Sequence, residues 1–392
     1  MKVVVFGFDA AESSQIRRIR SLMDTGHDVV AFTMRRANMN ADFVPFWRNI
    51  HLFRVGNERV FRRLLVLLLS CFKIAWNRGE LRGAGVIMAR NFDMLVLAHV
   101  ARLLSLRPGV PIVYECLDIH GSFTAPGKVA AAFRAVERFF MSRSQLLVVS
   151  SPGFIDNYFQ PVQGHRGKVH ILENKIWFGG ELPARRRSSA NLCGGRPWVL
   201  GWVGSLRCEP SLRILLAVAE RLGKCVRIEM HGNIHRHVLP DFERRIAACP
   251  NITYHGPYSY PDGLAQVYSG CDFVWAQDLW QTGANSDWLL PNRIYEAGYF
   301  GCLSIAVAGT ETGRKVAADD LGYTVEAATP AALAGLLEGL DPTEVETSRA
   351  RLLARPSSDF IYTPEDIQAV LDAAAQHRLE GEMIAAGSAA VL

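Results

Sequence analysis

The chain has 392 residues, 49% hydrophobic and 21% charged, with 43 Lys plus Arg against 38 Asp plus Glu. That length implies two domains or three, and the composition excludes a disordered, collagen-like or low-complexity chain. A net charge of +5 is too small to mark a nucleic-acid binder, and none is expected as a partner, but it permits contact with phosphates or an anionic membrane surface.

Residues 3–6 (VVVF) form a β-branched run ending at Gly7, the pattern of a strand buried on both faces. Ser13 or Ser14 can cap a helix over 13–25, whose apolar face is Ile16, Ile19, Leu22 and Met23. Residues 29–32 give the next strand, and this β-α-β opening predicts a parallel sheet. Strands follow at 85–88, 110–115, 145–150 and 168–173, with helices near 92–105, over 126–142 and from Ser151-Pro152. Around 178–197 the alternation fails in a stretch rich in Gly, Ser, Pro and Arg, which is linker chemistry. It resumes with strands at 198–203, 226–230, 251–255, 271–276 and 303–307 and helices over 210–222, 261–269 and 291–300. From about Thr363 the chain is Ala-rich and helical. The organisation read from this is a first α/β domain over 1–180, a linker over 181–197, a second α/β domain over 198–360, and a helical tail over 361–392 that can cross back to the first. Such sheets bind ligands at the carboxyl ends of their strands, so two halves facing a central cleft are expected.

The eight Cys are dispersed with no CxxC pair, which argues against zinc-ribbon or thioredoxin chemistry. Most fall in apolar stretches and read as small buried residues of a reducing compartment. The N-terminal apolar run meets Asp9 too soon for a signal peptide. The longest apolar stretch, 64–76, contains Lys73 and is shorter than the ~20 residues of a spanning helix. A cytoplasmic protein is expected. The segment 62–78, apolar with Arg62, Arg63, Lys73 and Arg78 around it, suits either a helix at a membrane interface or a buried core helix. The Arg185, Arg186, Arg187 run is expected to be solvated linker charge, with a membrane contact as the alternative.

The first loop, Gly7 to Glu12, is not GxGxxG, and no GxxxxGK[ST] occurs, so dinucleotide hydride transfer and P-loop hydrolysis are disfavoured. The stretch GWVGSLR runs a strand into a Gly204-Ser205 turn with Arg207 beyond it, which suits a phosphate or is simply a tight turn with a solvated Arg. In PNRIYEAGYFGC, Pro291 can open a helix. Asn292 and Arg293 then lie at its N-terminus, and Glu296 one turn on. Cation to phosphate and carboxylate to ribose would fit a nucleoside diphosphate; an Arg–Glu surface pair is the alternative. In the first half, Asp118 and His120 follow a strand, and either is a candidate general base, or both are capping and packing residues.

The two α/β halves, GWVGSLR, the stretch 251–278 and PNRIYEAGYFGCLSIA resemble GT-B glycosyltransferases, in particular family 4 and its bacterial exopolysaccharide, succinoglycan-type members. The resemblance implies transfer of a hexose from a nucleotide diphosphate sugar, UDP-linked, to a polyprenyl-diphosphate-linked glycan on the inner face of the cytoplasmic membrane, with the enzyme bound peripherally. It implies donor binding by Gly204, Ser205, Arg207, Gly232, Asn233, Asn285, Asn292, Arg293, Glu296 and Thr312, within the further loop 309–313. No metal or other cofactor is implied, because Arg side chains and helix N-termini neutralise the leaving group. Asp118 matches the base of a similar glucuronosyltransferase, with His120 as the other candidate and Asp9, Arg90 and Glu115 on the acceptor side. Retaining members carry a second Glu eight positions before the ribose-binding one. Trp288 stands there, so an inverting reaction is expected. A sugar-nucleotide epimerase of the same fold and a non-catalytic sugar-nucleotide-binding protein are the alternatives.

Overall fold

In the computed structural model the described residues are 1–36, 43–55, 60–185 and 196–389. They form two compact units. The first comprises Met1–Glu173 with Thr363–Leu392, the second Asn174–Tyr362.

The first unit is built on seven parallel strands: β1 (Lys2–Gly7), β2 (Asp28–Arg36), β3 (Arg48–Val55), β4 (Ala84–Arg90), β5 (Ile112–Cys116), β6 (Leu146–Val149) and β7 (Val169–Ile171), in the order β3-β2-β1-β4-β5-β6-β7. Val3, Val4, Val5 and Phe6 are all fully buried, as a central strand covered on both faces requires. Val4 lies between Val30 of β2 and Ile87 of β4. The strand order reverses between β1 and β4, the position at which doubly wound sheets open a crevice beyond their carboxyl ends. The helix after β1 spans Ser13–Asp24, and its N-cap is Glu12, without a side-chain capping bond. Ser13 and Ser14 therefore lie inside the helix and not at the expected cap.

The helix Val60–Trp76 packs Ser70 and Ile74 inward, while Leu65, Leu68, Leu69, Phe72 and Trp76 are exposed. It is thus not the fully buried core helix that was one reading of this segment. Lys73 turns in, donating to the Leu52 carbonyl oxygen at 2.6 Å. The side chains of Arg62 and Arg63 are outside the described residues. Among the described residues no helix is long and apolar enough to cross a membrane.

The second unit repeats the plan with β8 (Trp198–Val203), β9 (Val226–His231), β10 (Ile252–Tyr254), β11 (Phe273–Trp275), β12 (Leu303–Val307) and β13 (Gly322–Val325), all parallel, in the order β10-β9-β8-β11-β12-β13. Its reversal falls between β8 and β11. Trp202, Trp275, Tyr295 and Tyr299 fill the core, and the Trp275 indole N–H finds Ser211 Oγ at 3.1 Å, as a buried indole should. Residues 174–180, read from the sequence as the end of the first half, belong here. Ile176 bridges to Ile361, its N–H donating to the Phe360 carbonyl oxygen at 2.9 Å.

Arg185 is not a solvated linker charge. Its guanidinium donates to the carbonyl oxygens of Tyr299, Leu352 and Arg355 at 2.7–2.9 Å. Arg186 and Arg187, and the expected linker from 186 to 195, lie outside the described residues. The long helix Pro364–Ala389 returns to the first unit and packs on the helix Ser13–Asp24.

Candidate functional site

In the second unit the loops after β8 and β9 are zipped together. Gly204 N–H donates to the His231 carbonyl oxygen at 2.9 Å, Leu206 N–H to that of Asn233 at 2.9 Å, and His235 N–H to that of Leu206 at 3.0 Å. Ser205 Oγ lies 2.7 Å from His235 Nε2. Gly232 has φ +130°, and a Cβ there would stand 1.7 Å from the Gly204 oxygen, so this crossing of two backbones requires glycine. His231 and His255 stack with ring centroids 4.4 Å apart. Burial, with His255 alongside, lowers the His231 pKa to about 4, so His231 is neutral at pH 7.

Charged side chains lie beyond the carboxyl ends of β8 and β11. Arg207 lies 3.9 Å from Asp278 and over the Trp280 ring. Arg293 donates to the Trp275 carbonyl oxygen, at the end of β11, at 3.2 Å. Arg293 is carried by the helix Asn292–Tyr299, for which Pro291 is the N-cap and not the first helical residue. Asn285 is buried at the start of the short helix Asn285–Trp288. Glu296 is 4% exposed and its Oε2 accepts from the Tyr268 hydroxyl at 2.7 Å. Thr312 is fully buried and donates to the Leu289 carbonyl oxygen at 3.0 Å. The helix Glu311–Ala318 that contains it is capped by Thr310, whose Oγ1 accepts from Gly313 N–H.

In the first unit, Glu115 ends β5 and Arg90 ends β4. Glu115 is 1% exposed and takes Arg18 at 2.9 Å on one oxygen and Arg90 at 2.9 Å on the other. Arg90 also donates to Gln15 Oε1 at 3.1 Å. Burial alone would raise the Glu115 pKa, but the two guanidiniums overcome it and hold the carboxyl at about 2. These two residues are locked to each other under the β1–β4–β5 edge. Asp9, after β1, is buried and accepts from Ala11 N–H at 3.1 Å. Burial pushes its pKa up, against the backbone hydrogen bond and Arg36.

Asp118 and His120 are both exposed on the loop after β5. His120 is the N-cap of the short helix Gly121–Thr124. Its Nδ1 accepts from Ser122 N–H at 3.2 Å. A backbone N–H can only donate, so neutral His120 carries its own proton on Nε2. Asp118, three residues beyond the locked Glu115, is the more exposed carboxylate of this edge.

The profile of the glycosyl transferase 4-like domain matches residues 17–175. The chain is also 31% identical, over 374 residues, to the succinoglycan biosynthesis protein ExoL of Rhizobium meliloti, covering 95% of this chain and 92% of that protein. The chain belongs to the glycosyltransferase 4-like family. This sets aside the epimerase and the non-catalytic binding protein. The glycosyltransferase shares its fold with solved GT-B structures. Sucrose-phosphate synthase from Thermosynechococcus elongatus superposes with a TM-score of 0.69 at 15% identity, covering 98% of this chain and all of that one. Anabaena HepE in complex with UDP-glucose gives 0.64 at 15% identity, covering 96% and 98%.

Two residues at this edge are not singled out by the sequence. Gln277 is fully buried after β11, and its Oε1 accepts from Val307 N–H at 3.0 Å and Thr310 Oγ1 at 3.2 Å, so it pins the end of β12 and the Thr310 cap. Asp278 accepts from Ser286 Oγ at 2.7 Å and Trp280 N–H at 2.8 Å while facing Arg207. Their only sequence signal is a polar pair directly after an apolar strand.

Proposed function

We propose that this glycosyltransferase moves a hexose from a UDP-sugar to a hydroxyl of a polyprenyl-diphosphate-linked glycan, with inversion and without a metal ion. The observation that carries the reading is the pair of arginines, Arg207 in the loop after β8 and Arg293 bonded to the carboxyl end of β11, with the β8 and β9 loops crossing at Gly204 and Gly232. Two guanidiniums at that edge can take the charge that develops on a departing diphosphate. Gly204, Ser205, Gly232 and Asn233 would bring backbone close to the nucleotide, with Asn285, Asn292, Glu296 and Thr312 shaping its surroundings. The nucleotide base is assigned by analogy with HepE, which was solved with UDP-glucose, and the exopolysaccharide acceptor by analogy with ExoL.

On the acceptor side Asp118 is the general base. It is exposed, whereas Glu115 and Arg90 are spent on each other and the His120 Nε2 carries a proton. Asp118 would take the proton of the acceptor hydroxyl as the oxygen attacks the anomeric carbon, and UDP would leave against the two arginines. Peripheral membrane binding on the cytoplasmic side belongs to the same reading. It is supported by the exposed stripe of the helix Val60–Trp76, where Phe72 is 74% and Trp76 91% exposed.

The test is transfer of labelled hexose from UDP-hexose into the lipid-extractable fraction of membranes from an exopolysaccharide-producing bacterium. Asp118→Ala is expected to lower kcat by on the order of 100- to 10,000-fold while UDP binding is kept, and EDTA is expected to leave the wild-type rate unchanged. Full activity of Asp118→Ala would remove the base from the reading, and loss of activity in EDTA restored by a divalent cation would remove its metal independence.

A further inference from the structure

The helices Phe92–Leu104 and Lys128–Met141 of the first unit pack side by side, with the Phe92 and Phe133 rings edge to face at 6.1 Å. Their carboxyl-terminal ends are tied by Arg102, which donates to the Arg143 carbonyl oxygen at 3.2 Å. Around that tie the surface is both apolar and basic. Leu103, Leu106 at 86% and Phe139 at 51% are exposed, and Val129 and Val136 extend the stripe along the second helix. Arg143 lies over the Phe139 ring at 3.7 Å.

The charge is not balanced locally. Arg102, Arg134, Arg138 and Arg143 all donate to backbone carbonyls, and among the described residues none is ion-paired with a carboxylate. The two helices carry two carboxylates, Asp93 and Glu137. Both are buried, and Glu137 accepts from Tyr114, Tyr158 and Gln163. An ordinary solvated face would mix both signs. Large apolar side chains interleaved with unbalanced arginines match the surface of an anionic bilayer, where the apolar groups enter the acyl boundary and the guanidiniums meet lipid phosphates.

We infer that this end of the two helices, centred on Leu103, Leu106, Phe139, Arg143 and Arg107, which is exposed next to Leu106, is a second membrane-docking surface, selective for anionic phospholipid. It rests on the peripheral membrane reading above but uses elements separate from the helix Val60–Trp76. It lies at the strand ends opposite those that carry Asp118, since these helices run into β5 and β6. The surface therefore serves attachment and not the chemistry.

The experiment is co-sedimentation of the full chain with vesicles of phosphatidylcholine alone and of phosphatidylcholine with phosphatidylglycerol. It compares wild type, Arg107→Gln/Arg143→Gln, Leu106→Ser/Phe139→Ser, and Phe72→Ser/Trp76→Ser, with thermal unfolding to verify that each variant is folded. Wild type is expected to bind the anionic vesicles preferentially. The arginine variant should lose about fivefold per charge removed, and the Leu106/Phe139 variant roughly tenfold. If both variants bind as wild type while Phe72→Ser/Trp76→Ser loses binding, the inference fails and the membrane reading stands. If wild type binds neither vesicle, both fail. A wild-type dimer dispersed by Leu106→Ser/Phe139→Ser, with vesicle binding unchanged, would identify the patch as a contact between copies and overturn the inference.

Discussion

Replacing Glu115 by Gln would remove the carboxylate that lies between the guanidiniums of Arg18 and Arg90, both of them buried. Taking one partner from a buried pair costs about 3–5 kcal/mol, so Glu115→Gln is expected to lower unfolding free energy by that order in urea titrations. The pH dependence has a definite sign. The carboxyl is depressed from its ordinary 4.5 to about 2 in the folded chain. Its contribution is therefore complete above the unfolded value and is lost as pH falls through about 2. Wild-type stability should decline between about pH 4.5 and pH 2, and the variant should lack that component. An unchanged profile would mean that the triad does not hold the edge. The sequence marked Glu115 as a polar residue at a strand end, and that much was legible. Its partner Arg18 lies 97 residues away on another element, and no spacing rule reaches across a sheet. The same limit hid Asp278 beneath Arg207 and Tyr268 against Glu296.

At the scale of elements, the crossing of the β8 and β9 loops is the tightest feature of the donor edge. Gly232→Ala would set a methyl against the Gly204 oxygen at a φ of +130°, a combination costing about 1–3 kcal/mol or forcing the two loops apart. The expected result is a lower Tm together with weaker UDP binding. A variant with wild-type values for both would show that the crossing has slack. Strands with continuous apolar runs, such as β1 and β8, could be read directly from the sequence because both faces are covered. Of the four edge strands, β7 and β10 are legible at 168–173 and 251–255, whereas β3 and β13 are not. Among the described residues β3 pairs only with β2, and it carries Arg48, Asn49, His51 and Arg54, while β13 is a four-residue strand at the edge of the other sheet, pairing there only with β12. Neither segment, RNIHLFRV or GYTV, offers a continuous apolar run of four residues. Caps also shift by a residue or two: Glu12 stands where Ser13 or Ser14 is expected, and Pro291 is the N-cap and not the first helical residue. Propensity locates a helix end only to within a residue or two.

Over the whole molecule, the repeated strand–helix alternation is enough to give two parallel-sheet units, and the likeness to solved structures makes them a GT-B fold. What alternation could not assign was the chain that joins them. Arg185 looks like linker charge in a Gly-, Ser- and Arg-rich stretch, yet it caps the carbonyl ends of two helices in the second unit. Residues 174–180 belong to that unit because of backbone pairing at Ile176, which composition does not encode. The central claim, a glycosyltransferase whose second unit binds a UDP-sugar through Arg207 and Arg293, is tested most directly by titration calorimetry of UDP into wild type and Arg293→Ala. Wild type is expected to bind at micromolar Kd, and Arg293→Ala at least about tenfold, or ~1.4 kcal/mol, more weakly while unfolding at the wild-type temperature. UDP binding of equal strength in the two proteins, or none in wild type, would contradict that claim.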